Sequence, residues 1–411
     1  MTHVVVGGGV NGLSAAWGLA ERGADVLVLD KGRLGGGASG IAGGIVRNFY
    51  RSEPITELVR MSVEMFEEEL GAYGFRQVGY IAAVPRPQVD DLVVIRAQHD
   101  RVGYDSELVM GADACHEYLT WTWPDWDAPV EALLHERRSG WADAMQTVRQ
   151  LAERARAAGV EIREGVEVTG FKVNDDTVAA VLTDRGPVEC ETVVLAPGPW
   201  AAGLLAMLGV DARLDYWKAQ EGEFTLHGAG LSGRAGSEAP VVHLDQAAPL
   251  RSDRDGRVLT EDAWGIYFRM GRTGTGITGG GLPVLLDEPE LDPYGPDDNP
   301  AHAAEPEFKE FFTSGLATAL RRFRGRSSDW QLSAAGGIVA HTPDNYPVCD
   351  WVLDNAYAIV DSGHGFKTLA IGRLAADDIA DGGEPLLEPF RLDRFERGAL
   401  HTASSGPYPW T

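Results

Sequence analysis

The 411-residue sequence predicts an α/β protein, built as two domains or as one large domain with a second interleaved. Two further observations predict it. The first thirty residues read strand, turn, helix, strand, and residues 213 to 330 alternate strands with Gly/Pro-rich loops. Hydrophobic residues make up 44% and charged residues 24%, the balance of a globular chain. The net charge of −25 argues against a nucleic-acid groove or an anionic membrane surface as partner. Cys115, Cys190 and Cys349 lie far apart and form no CxxC pair, so neither a disulfide framework nor a metal site is indicated. A strand-like "HVVVGGG" opens the chain in place of a signal peptide. No apolar run approaches the ~18 to 20 residues that span a bilayer. The expectation is a cytoplasmic protein.

In "THVVVGGGVNGLSAAWGLAERGADVLVLDKG", Val4 to Val6 form a short buried strand, and Gly7, Gly9 and Gly12 give GxGxxG. Leu13, Ala16, Leu19 and Ala20 follow at helical spacing, Gly23 ends the helix, and Val26 to Leu29 form a second strand ending at Asp30. Gly7 permits the tight turn, Gly9 lets a pyrophosphate approach the backbone, and Gly12 lets the helix pack on the sheet. The helix N-terminus offers free N–H groups to phosphate, and Asp30 can accept from a ribose hydroxyl while repelling a 2′-phosphate. The unit is therefore read as dinucleotide-binding, with the choice between FAD and NAD open at this point.

"LGGGASGIAGGIVRNFY", residues 34 to 50, is a long glycine-rich loop that lets backbone approach an extended planar ligand. An amphipathic helix starts at "PITELVRMSVEMFEEELGAYG", and "YLTWTWPDWD" is an aromatic cluster read as core covering. "SGWADAMQTVRQLAERARAAGVEIREGVEVTGF" reads as turn, amphipathic helix and strand. "ETVVLAPGPWA" is a buried strand ending at Ala196, Gly198 and Trp200. "WGIYFRMGRTGTGITGGG", residues 264 to 281, reads as paired strands, with alternation placing Tyr267 and Arg269 on one face and Phe268 on the other. "LDEPELDPYGPDDNPAHAAEPEF" is an acidic, proline-rich surface excursion. "HTPDNYPV" and "SGHGFK" close the series.

Taken in order, these segments resemble the FAD-dependent amine oxidoreductases of the D-amino-acid oxidase group, which includes glycine oxidase and monomeric sarcosine oxidase. The resemblance covers most of the chain. It implies a discontinuous Rossmann-like FAD domain of residues 1–50, 140–212 and 331–400, interleaved with a mixed-sheet substrate domain of 51–139 and 213–330. It also implies that "SGHGFK" opens a returning helix whose positive end faces the flavin. Cofactor contacts are expected at Gly7, Gly9, Val10, Asn11 and Gly12, and at Asp30 and Lys31. Ala38, Ser39, Gly43, Gly44 and Ile45 follow in the loop, with Val168, Ala196, Gly198 and Trp200 further on. Gly337, Gly363, Gly365, Phe366 and Lys367 complete the set from the returning segment.

Oxidising an amino acid requires an anchored carboxylate, an amine freed of its proton and a hydride passed to flavin. The resemblance places Arg47 and Lys367 as the carboxylate clamp, with Lys367 one of only five lysines. Tyr50, Tyr267 and Arg269 are pocket candidates. No general base stands out; His364 is read as a loop-orienting residue, and His135 and His243 as structural. Gly336-Gly337 stands where sarcosine oxidase carries its flavin-attaching cysteine, so FAD is expected to be non-covalent. Gly44 replaces an arginine, and the lysine that activates oxygen is missing from "TGTGITGGG". Lys218 is the one obvious substitute, so the electron acceptor is oxygen or another carrier. The partner is an amino-acid-like small molecule. The alternatives are an NAD(P)H-dependent flavin hydroxylase, which usually carries a "GDA" motif absent here, and an FAD-binding subunit of a multi-protein dehydrogenase.

Overall fold

Val4 and Val5 are fully buried because the strand that carries them, Thr2–Val6, lies inside a sheet covered on both faces. It pairs in parallel with Asp25–Asp30 on one side and Thr192–Leu195 on the other. The six strands run in the order Val348–Leu353, Ala356–Val360, Thr192–Leu195, Thr2–Val6, Asp25–Asp30, Glu161–Glu164, and only the Val348–Leu353 edge is antiparallel. This computed structural model describes residues 2–226, 236–271 and 276–407.

The two chain ends meet through helices. Val10–Glu21 packs against Ile371–Asp381, and the Ser14 hydroxyl donates to the Leu369 carbonyl at 2.9 Å. Gly372 makes the approach possible, because a Cβ there would stand 2.5 Å from the Ala15 nitrogen. The returning helix begins at Ile371, so Gly363 to Lys367 lie in the turns before it.

The second sheet has eight strands. Their order is Gln331–His341, Asp215–Thr225, Gly276–Leu286, Trp264–Met270, Val241–Gln246, Tyr80–Val84, Ala132–Glu136, Ser106–Met110. Its outer face is packed by the helix Phe308–Ala319, whose Phe308, Phe311, Phe312 and Leu316 share a core with Phe224, Ile266 and Phe268. Gly279 exists for this packing: a Cβ there would meet the Phe312 ring at 2.5 Å. Trp123 and Trp126 are buried in the same core, as the aromatic cluster was read, whereas Trp121 is 67% exposed.

Two boundaries differ from the expected ones. Residues 331–341 pair along their full length with Asp215–Thr225 and belong to the second sheet; the nucleotide domain resumes at Val348. The helix Glu53–Glu68 buries Ile55, Leu58, Val59, Val63 and Phe66 in the core that also holds Val5, Leu13 and Val194, so it packs with the nucleotide domain. Both errors have one cause. Composition marks where a loop lies, but which core a segment joins is decided by its long-range partners.

Candidate active site

The two sheets enclose one cleft of about 1520 Å³. On the nucleotide side Gly7 has φ 111°, and a side chain there would run into the Ala196 carbonyl. Gly12 does not line the cleft; a Cβ on it would strike the Gly7 carbonyl, so it serves the helix–strand contact. The helix Val10–Glu21 has no side-chain cap, leaving its N-terminal amides toward the cleft apart from Val10, whose N–H donates to Ser39 Oγ at 3.2 Å. Asp30 accepts from the Gly8 and Gly32 amides at 2.7 and 2.8 Å, which aims its carboxylate and leaves lone pairs for a hydroxyl. Lys31, Ala38, Gly43, Gly44, Ile45, Val168, Gly198, Gly337 and Phe366 all line the same cleft, with Gly9, Val10 and Asn11. A long glycine cradle that side chains would fill, ending at an oriented carboxylate, fits an extended dinucleotide.

The acidic excursion after residue 286 is largely at the surface, as expected, and it also reaches the cleft. Asp292 and Tyr294 line the cleft; Asp292 accepts from Lys31 Nζ at 2.6 Å and from Trp200 Nε1 at 3.0 Å, and Lys31 lies 4.0 Å above the Trp200 ring. Tyr294 donates to the Ile338 carbonyl at 2.7 Å, holding the excursion across the cleft.

Arg47 follows the two-residue strand Ile45–Val46, which pairs with Gly140–Ala142 and fixes where the arginine emerges. It is 3% exposed, donates to the Phe49 carbonyl at 3.2 Å, and sits among the Phe49, Tyr50 and Tyr80 rings. Lys367 lines the cleft with its ammonium 3.3 Å from the Gly363 carbonyl. It is partly exposed, but to the cleft. Burial and then the Arg47 charge push its pKa down to about 7, with Asp361 opposing. His341, also in the cleft wall, is pushed down to about 3 by burial and the same lysine.

Tyr50 does not line the cleft. It stands behind Arg47, with its hydroxyl 3.3 Å from His364 Nδ1, while His364 Nε2 is 2.6 Å from the Asn345 carbonyl. Tyr50 thus packs behind Arg47, and His364 ties its own loop to the Asn345 turn. His135 bonds Tyr118 at 2.8 Å, a structural role.

The wall opposite is the second sheet, where cross-strand rows bring side chains to one face. Glu221, Gly280, Tyr267, His243 and Ala82 form one row; Glu223, Thr278 and Arg269 form the next. Tyr267 donates to Glu221 at 2.5 Å, and Arg269 stacks 4.0 Å above Trp141. Both line the cleft, with Phe268 buried behind them as alternation required. Residues 272–275 of the "TGTGITGGG" region lie outside the described residues. Lys218 does not reach the cleft: it pairs with Glu305 at 2.5 Å and donates to the Ala303 carbonyl.

Sequence reasoning did not single out Tyr80, Glu221 and His341, which line the cleft; His243, read as structural, has both ring nitrogens bonded and also lines it. Each sits in a strand. The available signal was the row itself, since His243 opposes Tyr267 across the sheet.

An oriented dinucleotide cradle facing a wall of cations and hydroxyls within one cleft defines a nucleotide-cofactor oxidoreductase. A model of the FAD dependent oxidoreductase family (DAO) matches residues 2–378, and the chain belongs to that family. FAD is accordingly the cofactor of the cradle. The chain is 27% identical over 413 residues to sarcosine oxidase subunit beta of Rhizobium meliloti, covering 97% of this chain and 89% of that one. It is 32% identical over 222 residues to 4-methylaminobutanoate oxidase (formaldehyde-forming) of Paenarthrobacter nicotinovorans, covering 52% of this chain but only 26% of that longer protein. The fold matches L-proline dehydrogenase from P. horikoshii with a TM-score of 0.80 at 24% identity, over 97% of this chain and 99% of that one. Among the described residues no helix is long and apolar enough to cross a membrane.

Proposed function

We propose that this chain oxidises the C–N bond of an amino acid or N-substituted amino acid, giving an imine that water then hydrolyses. The observation that carries the reading is the pair Arg47 and Lys367, two basic side chains in the wall of the flavin cleft. Two like charges in one wall are stabilised by an anion between them, and a substrate carboxylate supplies it. FAD, when bound, supplies the two-electron acceptor for the hydride lost from carbon. Arg47 and Lys367 hold the carboxylate, Tyr50 and His364 hold the clamp, and the Tyr267–Glu221 pair faces the substrate from the second sheet. The named relatives act on sarcosine and 4-methylaminobutanoate, each an N-methyl amino acid, which agrees with this class.

The three cysteines are free, and Cys349 lies in the nucleotide-domain core away from the cleft wall, so FAD is held without a cysteinyl bond. Denaturation in acid should release all the yellow chromophore into the supernatant. The position of Lys218 favours a carrier over oxygen as electron acceptor, because its ammonium is committed to Glu305. The deciding experiment is anaerobic titration of the holoprotein with amino acids and their N-methyl forms. Bleaching by one of these classes supports the reading, and slow recovery in air beside fast recovery with an artificial carrier identifies a dehydrogenase. Bleaching by NADPH alone would overturn it.

A further inference from the structure

Tyr80 and His243 line the cleft, and neither has a part in the function above. Tyr80 opens the strand Tyr80–Val84; His243 and Asp245 are alternate residues of the neighbouring Val241–Gln246 and point to the same side. Tyr80 Oη lies 2.7 Å from His243 Nδ1, and His243 Nε2 lies 2.7 Å from Asp245 Oδ1. Asp245 is fully buried, and its second oxygen has no hydrogen-bond partner. An ionised carboxylate only accepts, so the imidazole proton is on Nε2, Nδ1 accepts, and the Tyr80 hydroxyl donates. This is the direction of the chain for a neutral imidazole. Both imidazole nitrogens are engaged, which leaves the Tyr80 oxygen as the member with a lone pair not committed within the chain. The Arg47 guanidinium is 5.7 Å from the Tyr80 ring centre. In an α-amino acid the nitrogen is one carbon from the carboxylate, so a carboxylate held by Arg47 would keep the amine on the Arg47 side of the cleft, where the Tyr80 ring also lies.

We infer that Tyr80, His243 and Asp245 form a proton relay that strips the substrate ammonium before oxidation, an assignment that rests on the amine-oxidation reading above. The ammonium N–H bond breaks toward Tyr80 Oη as the Tyr80 proton passes to His243 Nδ1. The phenol is restored, the imidazolium stays bonded to the Asp245 carboxylate, and the substrate becomes a neutral amine. No electrons move. Burial pushes ionisation of Tyr80 far up, so the phenol passes a proton through and does not wait as phenolate. The imidazolium is stabilised by a buried carboxylate with an oxygen to spare, the logic of a triad with tyrosine at its tip. Tyr80 is the catalytic residue; His243 and Asp245 act through it.

The test uses the FAD-loaded protein and Tyr80→Phe, His243→Gln and Asp245→Asn, reduced anaerobically by whichever of sarcosine, glycine and L-proline bleaches the wild type fastest. The limiting rate at saturating substrate is read from pH 6 to 10. At pH 7 Tyr80→Phe is expected to slow bleaching about 100-fold, with recovery at high pH, where the amine arrives already neutral. A merely structural loss would depress the rate at every pH. Other titratable or charged groups face the relay: Arg47, Tyr50, Tyr267 and Glu136, which opposes Tyr80 on the next strand and is raised by burial to about 7. Glu136→Gln must therefore keep the wild-type pH limb. Lys367 acts at the binding step, which saturation removes. A wild-type rate and limb in Tyr80→Phe would overturn the relay and leave amine oxidation standing. Failure of every amino acid and N-methyl amino acid of the titration above to bleach the wild type at any pH removes the parent reading and the relay with it. A second readout needs no turnover: ¹⁵N-histidine spectra of the resting protein at pH 8 should show His243 neutral with its proton on Nε2. An imidazolium there, or a proton on Nδ1, defeats the assignment.

Discussion

Lys367 carries the pH behaviour of substrate binding. Its ammonium, ordinarily near 10.4, is depressed to about 7 by burial and by Arg47. In the proposed clamp a bound carboxylate would lie against both cations and draw the proton back. Above pH 7 each ligand that binds must then take up a proton, so affinity for carboxylates falls as pH rises, by up to about tenfold per unit. Calorimetry at pH 8 in two buffers of different ionisation enthalpy should give an uptake approaching one proton per ligand. Lys367→Met should abolish that uptake and weaken binding by roughly 10- to 100-fold, the range of a lost charged hydrogen bond. Uptake that persists in the variant would assign the proton to another group. The same depression gives a slope in stability. Between pH 7 and 10 the unfolded chain binds the proton that the folded chain has lost, so the free protein gains stability as pH rises through that window, and Lys367→Met should flatten the rise in a denaturant series.

At the scale of elements, the nucleotide site depends on the contact between Val10–Glu21 and Ile371–Asp381. Gly372 sits 2.5 Å (measured from a hypothetical Cβ) from the Ala15 nitrogen and 2.6 Å from the Asn11 carbonyl, backbone that cannot rotate away. Gly372→Ala should separate the helices and cost about 1–3 kcal/mol. It should also weaken FAD binding, because Asn11 and Val10 belong to the cradle. Melting temperature and flavin fluorescence measured together would check both effects; an unchanged pair would show that the helices can slide. This contact also marks what could be read from sequence. The glycines of GxGxxG, Asp30 and Arg47 were legible because each answers a local demand: a turn, an oriented carboxylate, a cation among aromatics. The strand Gln331–His341 was assigned to the wrong domain because nothing in "QLSAAGGIVAH" names its partner. Tyr80 and His243 were passed over for the same reason: each looks like core until the register of two strands sets them 2.7 Å apart.

Across the whole molecule the chain visits the cofactor cleft from its N-terminal turn, its middle and its C-terminal loop, and the excursion after residue 286 closes the circuit from the substrate domain. Asp292 joins these visits, taking Lys31 from the end of Asp25–Asp30 and Trp200 from the turn after Thr192–Leu195. The Lys31–Asp292 pair is partly solvated, with side chains 32% and 57% exposed, so its own worth is within about 1 kcal/mol. Its place matters more than its strength: the excursion lines the cofactor cleft, and release of FAD past it is the expectation to test. Asp292→Asn keeps an acceptor for the Trp200 indole and removes only the charge. FAD release, followed by the fluorescence of the freed flavin, should quicken by up to about fivefold at low salt. Wild type should approach the variant's rate as ionic strength rises toward ~1 M, where the pair is screened within a few ångströms, while the variant's own rate stays nearly constant. Equal release at low salt would place the excursion outside the exit path, leaving the Tyr294 bond to the Ile338 carbonyl as an anchor of the fold alone.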